Sequence, residues 1–320
     1  MAGYVVGIDL GATKIGMGLI SPADEIIARE RMPTAAWEGP GSVVTRIAEV
    51  IGRWRRELPS AEAIEAVGIC TPGPVDHATG YVLDPPNLTG WRDVPFRDML
   101  RQRLGIPVVL EHDAKAAALG EFHYGAGRGE HSMVYIVVGT GVGAAVIVDG
   151  ALYRGSHNSA GEVGHITLDR FGELCSCGNR GCVETFVSGP ALARRYQTAL
   201  DAAGQGLPPT PGEHITGEVV YEMACAGDPL ARQVIEEAGD ALGYAVATLA
   251  MILDIELYVV GSSVARCGDM LLEPARRAVS KGAFASVARR VRITTTSLWD
   301  DGPILGCGWL AKEVAAGAER

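Results

Sequence analysis

The sequence has no surplus of positive charge, no apolar run long enough to cross a bilayer, no low-complexity segment and no Walker phosphate loop. Lys and Arg number 28 against 38 Asp and Glu, a formal net charge of −10. A chain this acidic is a poor partner for polyanions, so no nucleic-acid partner and no acidic membrane surface are expected. The longest apolar stretch, Met133 to Val148, is broken by Gly139, Gly141 and Gly143 and is too short for a span. Met1 to Gly7 lacks a basic n-region and runs directly into a strand-like pattern, so no leader is expected and the location is expected to be cytoplasmic. There are seven cysteines, an odd number, and three of them crowd between Cys175 and Cys182. That distribution fits metal binding better than a disulfide framework.

What is present is an ordinary globular composition, 48% hydrophobic and 21% charged, over 320 residues. That length suits one large or two medium domains. Residues 4–20 read as two β-runs around a Gly-rich turn. Residues 43–58 place Val43, Ile47, Val50, Ile51 and Trp54 at helical spacing. A short strand over 64–69 leads into the turn Thr71-Pro72-Gly73-Pro74, and a strand over 106–111 leads into a helix over 114–124. Residues 229–253 and 303–316 have helical patterns, and 204–213 is a Pro/Gly-rich connection. Strands alternate with helices, so the class is α/β.

The opening pattern of apolar run, Gly-rich turn and apolar run recurs at 134–148, and a third apolar run ends in glycine at 257–264. Each could be an ordinary strand end. Together they suggest one nucleotide site built from several strand ends. In Asp9-Leu10-Gly11-Ala12-Thr13-Lys14, Gly11 lets the backbone approach a ligand closely. Thr13 offers a hydroxyl and an amide, Lys14 a cation, and Asp9 a carboxylate for Mg²⁺, directly or through water. The GxxxxGK(S/T) spacing is absent, so this is no Walker loop. Gly139-Thr140-Gly141 is a second turn that could wrap phosphates.

His165 precedes Cys175, Cys177 and Cys182, and Gly178 and Gly181 let the chain fold around one ion. Three thiolates and an imidazole complete a closed tetrahedral Zn²⁺ site, which marks the metal as structural. Asp113 stands where a strand meets a helix, either as a helix N-cap or as the acceptor of a proton from an attacking sugar hydroxyl. The helix N-terminus is expected to favour its ionised form. Glu162 and Glu184 flank the cysteine cluster and are acceptors suited to vicinal sugar hydroxyls.

These segments together resemble the ROK family (repressors, open reading frames and sugar kinases) over nearly the whole chain. Asp9 to Lys14 is similar to the family's first phosphate motif and Val137 to Gly155 to its second, with Gly261 at the third strand end. Ala160 to His165 and Cys175 to Glu184 are similar to its signature, with His165, Cys175, Cys177 and Cys182 as zinc ligands. The resemblance implies an actin-like (ribonuclease H-like) two-domain sugar-kinase fold with the active site in the interdomain cleft. The expected division is a small domain over 1–113, completed by a C-terminal helix at about 303–320, and a large domain over 114–302. It also implies Mg-ATP as donor, a hexose 6-hydroxyl as acceptor, and a dimer or tetramer as the assembly. Asp113 matches the catalytic base, and Asn87, Glu162, His165 and Glu184 match sugar contacts, His165 serving both zinc and sugar.

The chain departs from the family at Glu111-His112-Asp113-Ala114-Lys115, where Glu-Asn-Asp-Ala-Asn is usual. His112 replaces an Asn that contacts a ring hydroxyl, and Lys115 adds a cation nearby. An imidazole is larger than an amide and has a different donor and acceptor set. A site built for one hydroxyl pattern rejects another. Glucose-like hexoses are therefore one expected acceptor class; an aminohexose such as a 3-aminoglucose, or a C7 cyclitol, is the other. Ala144 and Ser262 also replace common family glycines. A repressor is disfavoured by the net charge and by a phosphate loop that begins at Asp9.

Overall fold

The computed structural model describes residues 3–58, 64–85, 87–204 and 214–317. The chain divides into two compact units, one of residues up to Gly129 together with those from Ser297 onward, the other Glu130–Thr296. The division expected at 113/114 falls instead at 129/130. The connection expected at 204–213 lies, beyond Gly204, outside the described residues. Among the described residues no helix is long and apolar enough to cross a membrane.

In the first unit, β1 (Tyr4–Leu10) turns back antiparallel into β2 (Lys14–Ile20), which pairs antiparallel with β3 (Ile26–Pro33). Burial alternates along β3, and Arg29 and Arg31 stand among its exposed positions, as expected of a sheet edge. Then comes α1 (Pro40–Glu57), with Pro40 in its first turn and Val43, Ile47, Val50, Ile51 and Trp54 buried on one face. β4 (Ile64–Thr71) pairs parallel with β1. A small hairpin of β5 (Val75–Asp76) and β6 (Tyr81–Val82) precedes α2 (Phe96–Leu104). β7 (Val108–His112) pairs parallel with β4 and passes directly into α3 (Asp113–Tyr124). The sheet order is β3-β2-β1-β4-β7.

The second unit repeats this plan. β8 (Met133–Val138), β9 (Val142–Val148) and β10 (Ala151–Tyr153) form the antiparallel meander. Four helices follow: α4 (Glu184–Val187), α5 (Gly189–Ala202), α6 (Gly217–Cys225) and α7 (Pro229–Leu253). β11 (Leu257–Gly261) pairs parallel with β8; α8 (Asp269–Gly282), α9 (Ala285–Ala288) and β12 (Arg292–Thr295) complete the unit. The order β10-β9-β8-β11-β12 reproduces that of the first sheet.

The chain then returns to the first unit as α10 (Asp301–Ala315). This helix lies so close to the sheet and to α3 that glycine is required at the crossings. A Cβ on Gly68 would stand 1.9 Å from the Cys307 carbonyl oxygen, and one on Gly306 would stand 1.8 Å from that of Ala116. His123 of α3 stacks on Trp309 of α10 with centroids 3.5 Å apart. These contacts explain why α3 belongs to the first unit and why the boundary lies past it. The return is held by Glu121, fully buried on α3. Its carboxylate accepts the amides of Ala126, Ser297 and Leu298, each at 2.8 Å, and the Ser297 hydroxyl at 3.0 Å. Lys115, two residues after Asp113, is buried within α3 and does not face solvent.

Candidate functional site

In the first unit the strands β1, β4 and β7 run parallel, so Asp9, Thr71 and His112 share one sheet edge, with Asp113 following at once. Asp9 is half-buried, and the Cys70 thiol donates to its Oδ1 at 3.6 Å. Burial, and then the negative charge of Asp113, push its carboxyl up to about 6. The turn after it is fixed by the Gly11 amide donating to the Lys14 carbonyl at 2.9 Å and by the Thr34 hydroxyl donating to the Gly11 carbonyl at 2.6 Å. Ala12 is half-buried at the turn, while Thr13 and Lys14 are exposed. Lys14 Nζ lies 3.7 Å from Asp300.

The helix-cap reading of Asp113 goes to its neighbour. His112 has the extended backbone of an N-cap residue, and its Nδ1 accepts the Ala114 amide at 3.3 Å. Asp113 is the first helical residue; its Oδ1 accepts the same amide at 2.6 Å and lies 3.1 Å from His112 Nδ1. Burial raises the Asp113 pKa above the usual carboxylate range, outweighing the Ala114 amide that was expected to hold it ionised. Asn87 is exposed on a separate turn, closed by the Leu88 amide donating to Pro85.

In the second unit the β8–β9 turn is closed by the Gly139 amide donating to the Gly141 carbonyl at 2.9 Å, and it is tied to the start of α5 by the Gly189 amide donating to Gly139 at 2.8 Å. Thr140 is exposed at its tip. A Cβ on Gly139 would stand 2.7 Å from Ser262 Oγ, which brings the end of β11, Gly261, beside this turn. Ser262 sits at φ 75°, a left-handed conformation that explains the glycine usual there.

His165, Cys175, Cys177 and Cys182 converge, each offering one ligand atom and all of these within 4.8 Å of one another. His165 Nδ1 lies 3.7 Å from Cys175 Sγ, and Cys177 Sγ lies 3.7 Å from Cys182 Sγ. A soft thiolate-rich set of four donors fits zinc in a closed tetrahedral site. Glu184, two residues after Cys182, reaches back to accept the Val142 amide at 2.9 Å. Glu162 is exposed at the start of the 3₁₀ turn Val163–His165, and its carbonyl accepts the His165 amide. Of the other cysteines, Cys70, Cys267 and Cys307 are buried as expected, whereas Cys225 is exposed.

The sequence reading missed a cavity of about 390 Å³ beside Gly139 and Thr140, lined also by Pro190, Tyr221, Arg266 and Cys267. Its walls come from α5, α6 and the segment after β11. The one sequence signal is Gly189-Pro190, which starts a helix against the glycine turn.

The sequence profile of the ROK family matches residues 5–314. The chain belongs to the ROK family. Among its ROK relatives, the glucokinase of Halalkalibacterium halodurans is 33% identical over 99% of this chain and 97% of that protein. A putative xylose repressor of Caldicellulosiruptor is also 33% identical, over 95% of this chain and 77% of that protein. The crystal structure of a ROK glucokinase from Streptomyces griseus, in complex with glucose and AMPPNP, superposes with a TM-score of 0.79 at 32% identity, covering 97% of this chain and all of that one. The fold is the actin-like sugar-kinase fold of such ROK enzymes.

Proposed function

We propose that this chain is an ATP-dependent sugar kinase that phosphorylates a hexose or hexose-like acceptor, in the first place at its 6-hydroxyl. The observation that carries the reading is the pair Asp9 and Asp113 at one sheet edge, two carboxylates each raised by burial and placed where α/β folds bind ligands. Asp113 accepts the proton of the attacking hydroxyl, and its raised pKa brings it nearer to the working pH than an ordinary carboxylate. The Gly11–Lys14 turn of the first unit offers amides and a cation to phosphate oxygens, and the Gly139–Gly141 turn of the second offers the same amide geometry. The cavity beside Thr140 suits the nucleoside part of ATP. Magnesium arriving with the nucleotide would be held near Asp9, a carboxylate with Lys14 nearby, and would neutralise phosphate charge.

Glu162, Glu184, His165, Asn87 and His112 are the proposed sugar contacts. Because Nδ1 of His165 lies in the cysteine cluster, Nε2 is the atom left to meet a hydroxyl. A structural zinc in that cluster would fix the loop that carries His165 and Glu184. The assembly is a cytoplasmic homo-oligomer, dimer or tetramer, which light scattering on the eluting protein tests.

A second acceptor class, an aminohexose or C7 cyclitol, is favoured by one observation: an imidazole, not an amide, stands beside the base. The experiment is ADP release with Mg-ATP across glucose, mannose, N-acetylmannosamine, 3-aminoglucose and a C7 cyclitol, with Asp113→Ala alongside. Strong turnover of glucose alone supports the hexose reading; strong turnover of a modified acceptor alone supports the second. Sugar binding without ADP release by the wild type, as in a repressor, removes the kinase reading. Activity near wild type in Asp113→Ala removes Asp113 from its role.

A further inference from the structure

The pair at the start of α3 carries a further step that rests on the kinase reading. His112 Nδ1 and Asp113 Oδ1 are 3.1 Å apart, a hydrogen-bond distance. Both atoms face the same Ala114 amide, which donates at 2.6 Å to Asp113 but at 3.3 Å to His112. The imidazole lone pair is therefore only weakly used by the amide. A proton arriving on Asp113 therefore has the Nδ1 lone pair within hydrogen-bond reach. Gly73 makes room for the ring: a Cβ there would stand 2.6 Å from Cδ2 and 2.8 Å from Nε2 of His112. A larger residue would push the imidazole off Asp113. The side chains of His112 and Asp113 are 34% and 40% exposed, so the imidazole serves as the route to water once a bound acceptor covers the carboxylate.

We propose that His112 is a positioning residue that takes over, through Asp113, the proton released by the attacking hydroxyl. The hydroxyl O–H bond breaks and its proton passes to Asp113 as the oxygen bonds the γ-phosphorus. The bridging P–O bond breaks with its electron pair leaving on ADP. The carboxylic proton then moves to Nδ1 of neutral His112, and the imidazolium gives one proton to water and returns to the tautomer protonated at Nε2. Asp113 is thereby restored as a carboxylate before the next turnover. An Asn at 112 caps the helix as well but has no basic nitrogen. The charged and titratable groups around the pair are Asp9 on β1, with Lys14 and Asp300 beyond it, Cys70 on β4, and Glu111, whose Oε1 accepts the His112 amide at 2.9 Å.

The test compares wild type with His112→Asn, which keeps the cap. At saturating Mg-ATP and acceptor, log kcat of the wild type should fall on the acid side one unit of slope more steeply than that of the variant, because His112 must be unprotonated as well as the carboxylates. His112→Asn should fall less steeply by one unit of slope and show kcat lower by roughly tenfold, a change in acceptor KM reporting the sugar contact of His112 separately. Parallel slopes with equal kcat would overturn the proposal. A second arm needs no turnover: the ring nitrogens of His112 are observed by NMR in wild type and in Asp113→Asn. Loss of the carboxylate should change the Nδ1 resonance and leave Nε2 nearly unmoved; an unchanged Nδ1 resonance overturns the pair. Absence of ADP release with every acceptor would sink the kinase reading and the relay with it, while the NMR arm still reports whether the two side chains share a proton.

Discussion

Glu184 Oε2 accepts the Val142 amide at 2.9 Å, which ties the helix after the cysteine cluster to the turn that carries Gly139 and Gly141. The same oxygen would lie 2.8 Å from a Cβ on Gly141, so carboxylate and turn fit without spare room. One oxygen of Glu184 accepts from the backbone and the other lies 3.9 Å from Cys175 Sγ, so the carboxylate is held in place before any sugar arrives. Glu184→Ala should raise KM for both the nucleotide and the acceptor, because one side chain supports both. Steady-state kinetics with each substrate varied in turn checks this; a change confined to the acceptor would show that the Val142 bond is incidental.

Removal of the metal should act on the same connection. Cys177 is exposed and Cys182 buried, so the ion would clamp a surface strand of the loop onto the interior. Cys177→Ala, or incubation with a strong chelator, should release about one zinc per chain and lower the thermal midpoint by several degrees. Metal analysis beside a melting curve is the measurement. Equal zinc content and equal melting in the variant would show that no metal is held there.

Asp9 should cost stability. Its folded pKa of about 6 lies above the unfolded value of 3.8, so the folded chain keeps a proton that the unfolded chain gives up between those two values. Stability from this group is greatest below pH 3.8, falls as pH rises through that window, and is flat above about 6. Asp9→Asn cannot ionise. It should match wild type near pH 4 and be more stable by about 1–2 kcal/mol at pH 7, allowing for screening at a half-buried group, while losing activity. Urea unfolding at the two pH values tests it.

Glu121 should be among the costliest single residues to remove. Glu121→Ala leaves three partly buried amides and one hydroxyl without their acceptor, a loss of about 2–4 kcal/mol. Denaturant midpoints measure it.

Gly306→Ala addresses the crossing of α10 over α3. Its methyl would meet the Ala116 carbonyl at 1.8 Å, so the helices must part, at about 1–3 kcal/mol or more. Thermal unfolding of the variant reads the separation directly.

Much of this was legible in the sequence wherever the signal is local. The strands around Asp9 and Gly139 announce themselves by apolar runs around glycines, α1 by the spacing from Val43 to Trp54, and the cysteine cluster by residues packed within one short segment. β3 was not legible, because Arg29, Glu30 and Arg31 put charge where a buried strand would have none. Glu121 looks like one polar residue in an alanine-rich helix; its burial depends on Ser297 and Leu298, far along the chain. Tyr221 and Arg266 line the cavity beside Thr140 only because α6 and the segment after β11 meet there, which no local pattern encodes. The helix at Asp113 was foreseen, but the contest between burial and the helix amide needed the packing to decide it.

The carboxylate of Glu121 grips Ala126 on the way out of the first unit and Ser297 on the way back. Residues 130–296 are thus an uninterrupted excursion that leaves and rejoins at one spot, and within it Glu130 and Arg292 are paired at 2.8 Å. That stretch has adjacent ends, its own sheet and its own core. It has the properties of a cassette: it could be excised with a short bridge left behind, expressed by itself, or circularly permuted by linking Glu130 to Thr296 and opening a surface loop.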